Sequence, residues 1–308
     1  MVRVELLYYT EGGEKLVAMA AKRSILGEQT KDVNMPDEEV EKWILEALRR
    51  EHWDPWELSW YVFRVENCSA TCSQQLIRYK PTAHAQLSQG SGIGVLRGML
   101  SRIVAFVELP CREDDYMCYA NALDKFDKKM EREENRVKLQ EMREVLEEAF
   151  EVPASVKPDE EVYREYIRYL IGVAKFYLVM ISRGIPFREA QLILPQATKV
   201  GLVYSMSARE LATSFFPLEM CSEDREMREL AWKLWHKLKV VHPRLFKYIG
   251  PRCVLLENTL RDTPIPLEDY LEERAKIEVT SKCPKQVAKK DVVTCLKNSY
   301  NTALGIRY

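Results

Sequence analysis

HWDPWELSWYVFRVENCSATCSQQLIRYK, residues 52–80, decides the fold reading because a strand, a helix and a break follow one another within it. WELSWYVFRVEN, residues 56–67, is rich in aromatic and β-branched side chains and reads as a strand. ATCSQQLIR, residues 70–78, reads as a helix. It must stop before Lys80-Pro81, since a residue preceding proline avoids the α region. The glycine cluster GSGIG at 90–94 is a second breaker. The polar stretch QQLIRYKPTAHAQLSQG, residues 74–90, is thereby expected as a loop held by flanking elements, a setting that suits ligand contact.

Working outward, residues 1–9 alternate as a strand, EGGEK turns, and LVAMAAKRSI at 16–25 reads as a short helix. PDEEVEKWILEALRR, residues 36–50, is an amphipathic helix with Pro36 at its start and acids in its first turn. Residues 94–109 lean to helix at their start. Residues 119–150 are densely charged, and interleaved acids and bases describe a solvated helical face. A long helix is expected over 160–184, a short one over 187–194, a strand over 198–206 and helices after 207 and 224, the last interrupted near Pro243. GPRCVLLEN at 250–258 reads as less regular, and residues 281–308 show no clear pattern. The sum is a mixed, helix-rich α+β chain with a helical insertion near 115–155.

Bulk properties narrow the function classes. The chain has 308 residues, 46% hydrophobic and 30% charged, with a formal net charge of -1. That balance argues against broad attraction to nucleic acid, and only a local basic cleft would provide it. No stretch reaches the length of an apolar membrane span. The N-terminus reads directly as a strand, not as a signal segment, so a cytoplasmic location is expected. Eight cysteines and four histidines show no metal-ligand spacing, so no metal is expected. Reduced thiols are the simplest expectation, with Cys68 and Cys72 as buried small hydrophobes. Disulfides of the kind found in thermophile cytosols are the alternative. No Walker A, GxGxxG or Ser-His-Asp pattern is present.

Four stretches in order resemble the flavin-dependent thymidylate synthases. LLYYTEGGEKLVAMAAKR (6–23) is similar to the family's opening strand and helix, and residues 52–80 to the approach to its signature. GIPFREAQLILPQATKVGLVYSMSARELATSF (184–215) is similar to its second ligand-contacting region, and EMRELAWKL (226–234) to the helix that follows. On the signature, Arg78 matches the first arginine, Tyr79 stands for histidine and Lys80 for the second arginine. Ala83 stands for serine, Ala85 for asparagine and Gly90 for the last arginine, while Gln75 and Ser88 match. Trp56-Glu57-Leu58 replaces Phe-Glu-His, Gln191 replaces an arginine, and Ser207-Ala208-Arg209 replaces Asn-Ala-Arg. The chain is thus identified as a divergent member with a degenerate signature.

The resemblance implies an α+β fold with a central antiparallel or mixed sheet and long flanking helices. It implies one domain over 1–260, a charged helical insertion at about 110–157 and a C-terminal extension over 261–308. The implied reaction is methylation of dUMP to dTMP with FAD, methylenetetrahydrofolate and NADPH. The resemblance assigns Arg78, Tyr79, Lys80 and Glu57 to the flavin side, where His84, which has no counterpart in the signature, is expected beside them, and Gln75, Gln86, Leu87, Ser88 and Arg209 to the nucleotide. It assigns no catalytic residue with certainty. Losing arginine at 90 and 191 removes about 2 kcal/mol per charge-assisted contact. Lys80 keeps charge but not the bidentate fork, and Tyr79 cannot trade protons as a histidine does. His84 either replaces that histidine or bonds locally to backbone; Arg97 and Arg102 either restore charge or pair on the surface. The family implies a homo-oligomer, tetramer or dimer, with sites built from more than one subunit. The substitutions leave two other readings open. One is a catalytically degenerate paralogue acting as a nucleotide-binding or structural partner, including hetero-assembly with a true synthase subunit. The other is a flavoenzyme with a changed pyrimidine or RNA substrate.

Overall fold

The computed structural model describes residues 1–27, 35–86, 93–278, 283 and 285–305. Four strands, β1 (Arg3–Tyr9), β2 (Trp60–Ser69), β3 (Thr82–Gln86) and β4 (Lys199–Ser207), form one sheet in the order β1-β2-β4-β3. The helices before the longest one are α1 (Gly13–Leu26), α2 (Asp37–Arg49), α3 (Ala70–Leu76), α4 (Arg97–Phe106), α5 (Tyr116–Arg132) and α6 (Arg136–Leu146). They are followed by α7 (Glu160–Ser182), α8 (Phe187–Ala190), α9 (Ala208–Glu210), α10 (Phe216–Glu219), α11 (Arg225–Val241) and α12 (Pro243–Phe246). The chain closes with α13 (Arg252–Leu260), α14 (Leu267–Leu271) and α15 (Val292–Leu304). This is the α+β architecture expected, with a four-stranded sheet and long helices.

Local chemistry sets the helix boundaries. Asp115, Asn135, Asp159 and Asp224 each accept hydrogen bonds from backbone N–H groups in the first turns of α5, α6, α7 and α11. α1 ends on Gly27, whose φ of 69° favours glycine.

Three sequence expectations are corrected. Residues 82–86 are a strand at the end of the sheet order, not a loop. Ala83 N–H donates to Ser205 Oγ at 3.3 Å, and Pro81 sits just before the strand, where no ladder donor is needed. Among the described residues after 250, three helices form, α13, α14 and α15. Their period was blurred because α13 buries Glu257, Asn258 and Thr259, and α15 buries Ser299 and Asn301. These polar groups have partners: the Asn258 amide donates to Tyr248 O and Ile265 O, both at 2.8 Å. Finally, four cysteines are bridged, Cys68–Cys72 and Cys111–Cys118. The turn from β2 into α3 brings the first pair's Cα atoms to 5.8 Å, within disulfide reach.

The chain divides into two compact units. The first comprises residues 1–65, 75–85 and 203–308. Its core is aromatic, with Trp56, Tyr61, Phe63, Phe215, Phe216, Trp232, Trp235 and Tyr270 fully buried. Backbone approaches closely there: a Cβ on Gly13 would stand 2.5 Å from Ser59 Oγ and 2.7 Å from His242 Cε1. The second unit comprises residues 66–74 and 86–202. Its core is largely aliphatic, including Leu123, Leu146, Ile167, Leu170, Ala174 and Leu178 around Phe126 and Phe150. Among the described residues no helix is long and apolar enough to cross a membrane.

Candidate functional site

Most of the expected site residues fall in the first unit, on three short segments. The 3-10 turn Asp54–Leu58 precedes β2 and carries Glu57. The end of α3 and the turn into β3 carry Gln75, Arg78, Tyr79 and Lys80, with His84 on β3 itself. The stretch after β4 carries Arg209 on α9 and continues through a π-helical turn, Leu211–Phe215, into α10. Single π turns widen a helix locally and recur at functional sites.

Specific bonds fix these segments. Ala208 N–H donates to Ser59 O at 2.7 Å, tying α9 to the start of β2. The Tyr204 hydroxyl donates to Leu76 O at 2.9 Å, pinning the end of α3 to β4. Thr82 Oγ1 donates to Tyr79 O at 2.7 Å, and Arg78 N–H to Gln75 O at 3.2 Å. Tyr79 is half-buried. Its ring packs edge-on to Phe215 with centroids 5.1 Å apart, and its hydroxyl donates a short bond to Glu219. Burial, then the Glu219 carboxylate, holds this phenol well above its ordinary range, so it stays protonated. Arg209 donates to Asp54 at 2.9 Å in an exposed pair. Glu210 is half-buried, receives the Ser214 hydroxyl at 3.2 Å and lies near Glu57 and the Lys80 backbone. Burial raises its carboxyl above the usual range, and the Glu57 charge adds to the rise.

Arg78, Lys80 and His84 are exposed, and among the described residues neither Arg78 nor Lys80 has an ion-pair partner. Gln75 and Glu57 are half-buried. Gln86 lies in the second unit and is exposed; Leu87, Ser88 and Gly90 lie outside the described residues. Also in the second unit, Gln191 donates to Arg188 O at 3.0 Å. Arg97 pairs with Glu113 at 2.7 Å and Arg102 pairs with Glu148, so both take the surface-pairing reading. Sequence reasoning missed Asp54, Glu210 and Glu219. Glu210 directly follows Arg209, which was a usable signal. Glu219 meets Tyr79 across 140 residues, which no local pattern reveals. Among the described residues, no group of three or more His, Cys, Asp or Glu side chains is placed to hold a metal ion.

A family model described as thymidylate synthase complementing protein matches residues 5–95 and 96–244. A flavin-dependent thymidylate synthase of Aeropyrum pernix is 36% identical over 314 residues, covering 98% of this chain and 94% of the relative. The chain belongs to the flavin-dependent thymidylate synthase family. A second such synthase, from Sulfurisphaera tokodaii, is 30% identical and covers 97% of both chains. Among solved structures, thymidylate synthase X from Helicobacter pylori with FAD and dUMP superposes with a TM-score of 0.54 at 18% identity. The match covers 80% of this chain and 98% of that one. The family match therefore extends past the signature through residues 100–155, outside the four stretches quoted above.

Proposed function

We infer that this chain methylates the pyrimidine of dUMP to give dTMP, with methylenetetrahydrofolate as one-carbon donor, NADPH as reductant and FAD as cofactor. The observation that carries the reading is the 36% identity to a flavin-dependent thymidylate synthase over 98% of this chain.

The donor set of the first unit fits the anionic parts of such ligands. Arg78 and Lys80 offer unengaged cations on a turn braced by Tyr79 and Thr82. The Trp56 indole N–H, beside Glu57, is buried without a partner among the described residues. In this reading Arg78, Tyr79, Lys80, Glu57 and His84 hold FAD, which when bound supplies the hydride and electron chemistry. Gln75, Gln86, Leu87, Ser88 and Arg209 serve the nucleotide. Arg209 leaves Asp54 to meet phosphate, exchanging one exposed pair for another at little cost. Tyr79 contributes a ring edge and a fixed O–H, not a titrating group, because burial and the Glu219 carboxylate keep its phenol protonated. Solution assembly is a homo-oligomer, read by light scattering of the full chain.

Flavin reconstitution followed by dUMP titration and tritium release from C5-labelled dUMP tests the reading. Flavin uptake with tritium release is expected. Colourless protein that takes up no FAD sinks it in favour of a structural or nucleotide-binding paralogue. Flavin uptake without release points instead to a changed pyrimidine substrate.

A further inference from the structure

Four of the eight cysteines remain unbridged: Cys221, Cys253, Cys283 and Cys295. They are spread over the last third of the sequence, yet all four line one cavity of about 250 Å³ in the first unit. Cys221 follows α10, Cys253 sits in the first turn of α13, Cys283 lies between helices and Cys295 is on α15. Leu218, Val292 and Leu296 make the rest of the wall mostly apolar. The hollow opens to the surface, since Cys221, Cys283 and Cys295 are only half-buried, and its walls gather four thiols around one space.

The sulfurs are mutual neighbours. Burial, then the Cys295 and Cys283 sulfurs, pushes the Cys221 thiol up to about 12. Burial, then Cys221, Cys283 and Cys295, raises Cys253; burial, then Cys283, raises Cys295. Every pair among the four is therefore within electrostatic reach. They do not converge on a point, as a single ion requires. Four sulfurs around a hollow suit a polynuclear centre, whose own bridging atoms fill the middle while each cysteine reaches one corner.

We propose that this cavity holds an iron–sulfur cluster ligated by Cys221, Cys253, Cys283 and Cys295. On ligation each thiol releases its proton to solvent and binds iron as thiolate, and no electron transfer is required. Arg252 and Lys285, the latter 4.0 Å from Glu223, also line the cavity, and Arg252 opposes part of the thiolate charge. The centre ties Cys283 and α15 to α10 and α13. α10 also carries Glu219, the partner of Tyr79, so the clamp positions one side of the candidate site.

The test uses the full chain, produced with ample iron and purified without oxygen. Iron and acid-labile sulfide per chain are expected in equal amounts, roughly four of each for a cubane. A reduced sample should give a cluster signal in electron paramagnetic resonance that flavin does not give. C253S should lose iron and sulfide at least tenfold, while C111S/C118S keeps both. C283A, at a site outside any helix, serves where C253S fails to fold. Wild-type protein without iron and sulfide overturns the proposal, whether the four thiols titrate as free, form two more disulfides or bind zinc without sulfide. Iron retained in both C253S and C283A overturns it as well.

Discussion

In the first unit the largest buried side chains are aromatic and several of them aim a polar atom at a partner, whereas in the second the polar atoms sit around an aliphatic core. Trp235 Nε1–H donates to Phe246 O at 2.9 Å, Trp232 Nε1–H to Met220 O at 3.1 Å, and Tyr61 meets His242 Nδ1 at 2.7 Å. In the second unit, Arg168 pairs with Glu131, and Asp124 with both Lys128 and Lys175. The difference teaches where a site can be built. Buried aromatic rings with directed hydrogen bonds fix side-chain angles, and Tyr79 between Phe215 and Glu219 extends that pattern to the turn that carries Arg78 and Lys80. Surface ion pairs hold helices soluble and in register but direct little.

The largest effect that sharpens this contrast is expected from Trp235→Ala. It removes a fully buried indole and leaves Phe246 O without its donor, a loss of about 3–5 kcal/mol in denaturant unfolding. Trp235→Phe, which restores the ring but not the N–H, should recover most of that loss. If it recovers almost none, the hydrogen bond outweighs packing and the account of this core is wrong. In the second unit the bridge Cys111–Cys118 closes a short loop onto the first turn of α5. Replacing both cysteines with serine should cost about 2 kcal/mol, the loop-closure value for so short a ring. No loss would mean that Asp115, capping the Cys118 N–H at 2.9 Å, fixes the turn by itself.

How much of this was legible in the sequence follows from where the information lies. β1, β2, β4 and the long helices announced themselves through periodicity, caps and proline, because each buries one apolar face. β3 did not: TAHAQ is short and polar, and its place in the sheet depends on a distant serine, Ser205. α13 and α15 hid because their buried faces carry Asn258 and Ser299, whose partners lie on other elements. In the candidate site, Arg78, Lys80 and Arg209 were legible through resemblance to a family motif. Asp54, Glu210 and Glu219 were not, since carboxylates at those positions gain meaning only from the residues folded against them. The Cys68–Cys72 bridge was open between two readings, because a spacing of four residues allows a bridge only if strand turns directly into helix.

Two smaller effects set the carboxylates of the two units against each other, with opposite signs. Glu210 in the first unit has a raised pKa, chiefly from burial. Its folded form binds a proton more readily than its unfolded form, so it lowers stability as pH rises from the ordinary carboxylate range through its elevated value. Glu210→Gln should therefore stabilise the protein at neutral pH and flatten that part of the profile. A destabilised variant would show that the charged carboxylate, received by Ser214 and near the Lys80 backbone, is needed there. Asp124 in the second unit is the reverse. Hydrogen bonds from Lys128 at 2.7 Å and Lys175 at 2.5 Å lower its carboxyl to about 2. Its contribution is present above the unfolded value near 4 and is lost as pH falls toward 2. The side chain is 38% exposed, so solvent screening limits the effect to about 0.5 kcal/mol. Asp124→Asn should remove that acid-side slope and be screened by added salt. A salt-insensitive loss would mean that the α5–α7 contact depends on hydrogen-bond geometry at Lys175 more than on charge, and the surface of the second unit would then share the directed character of the first.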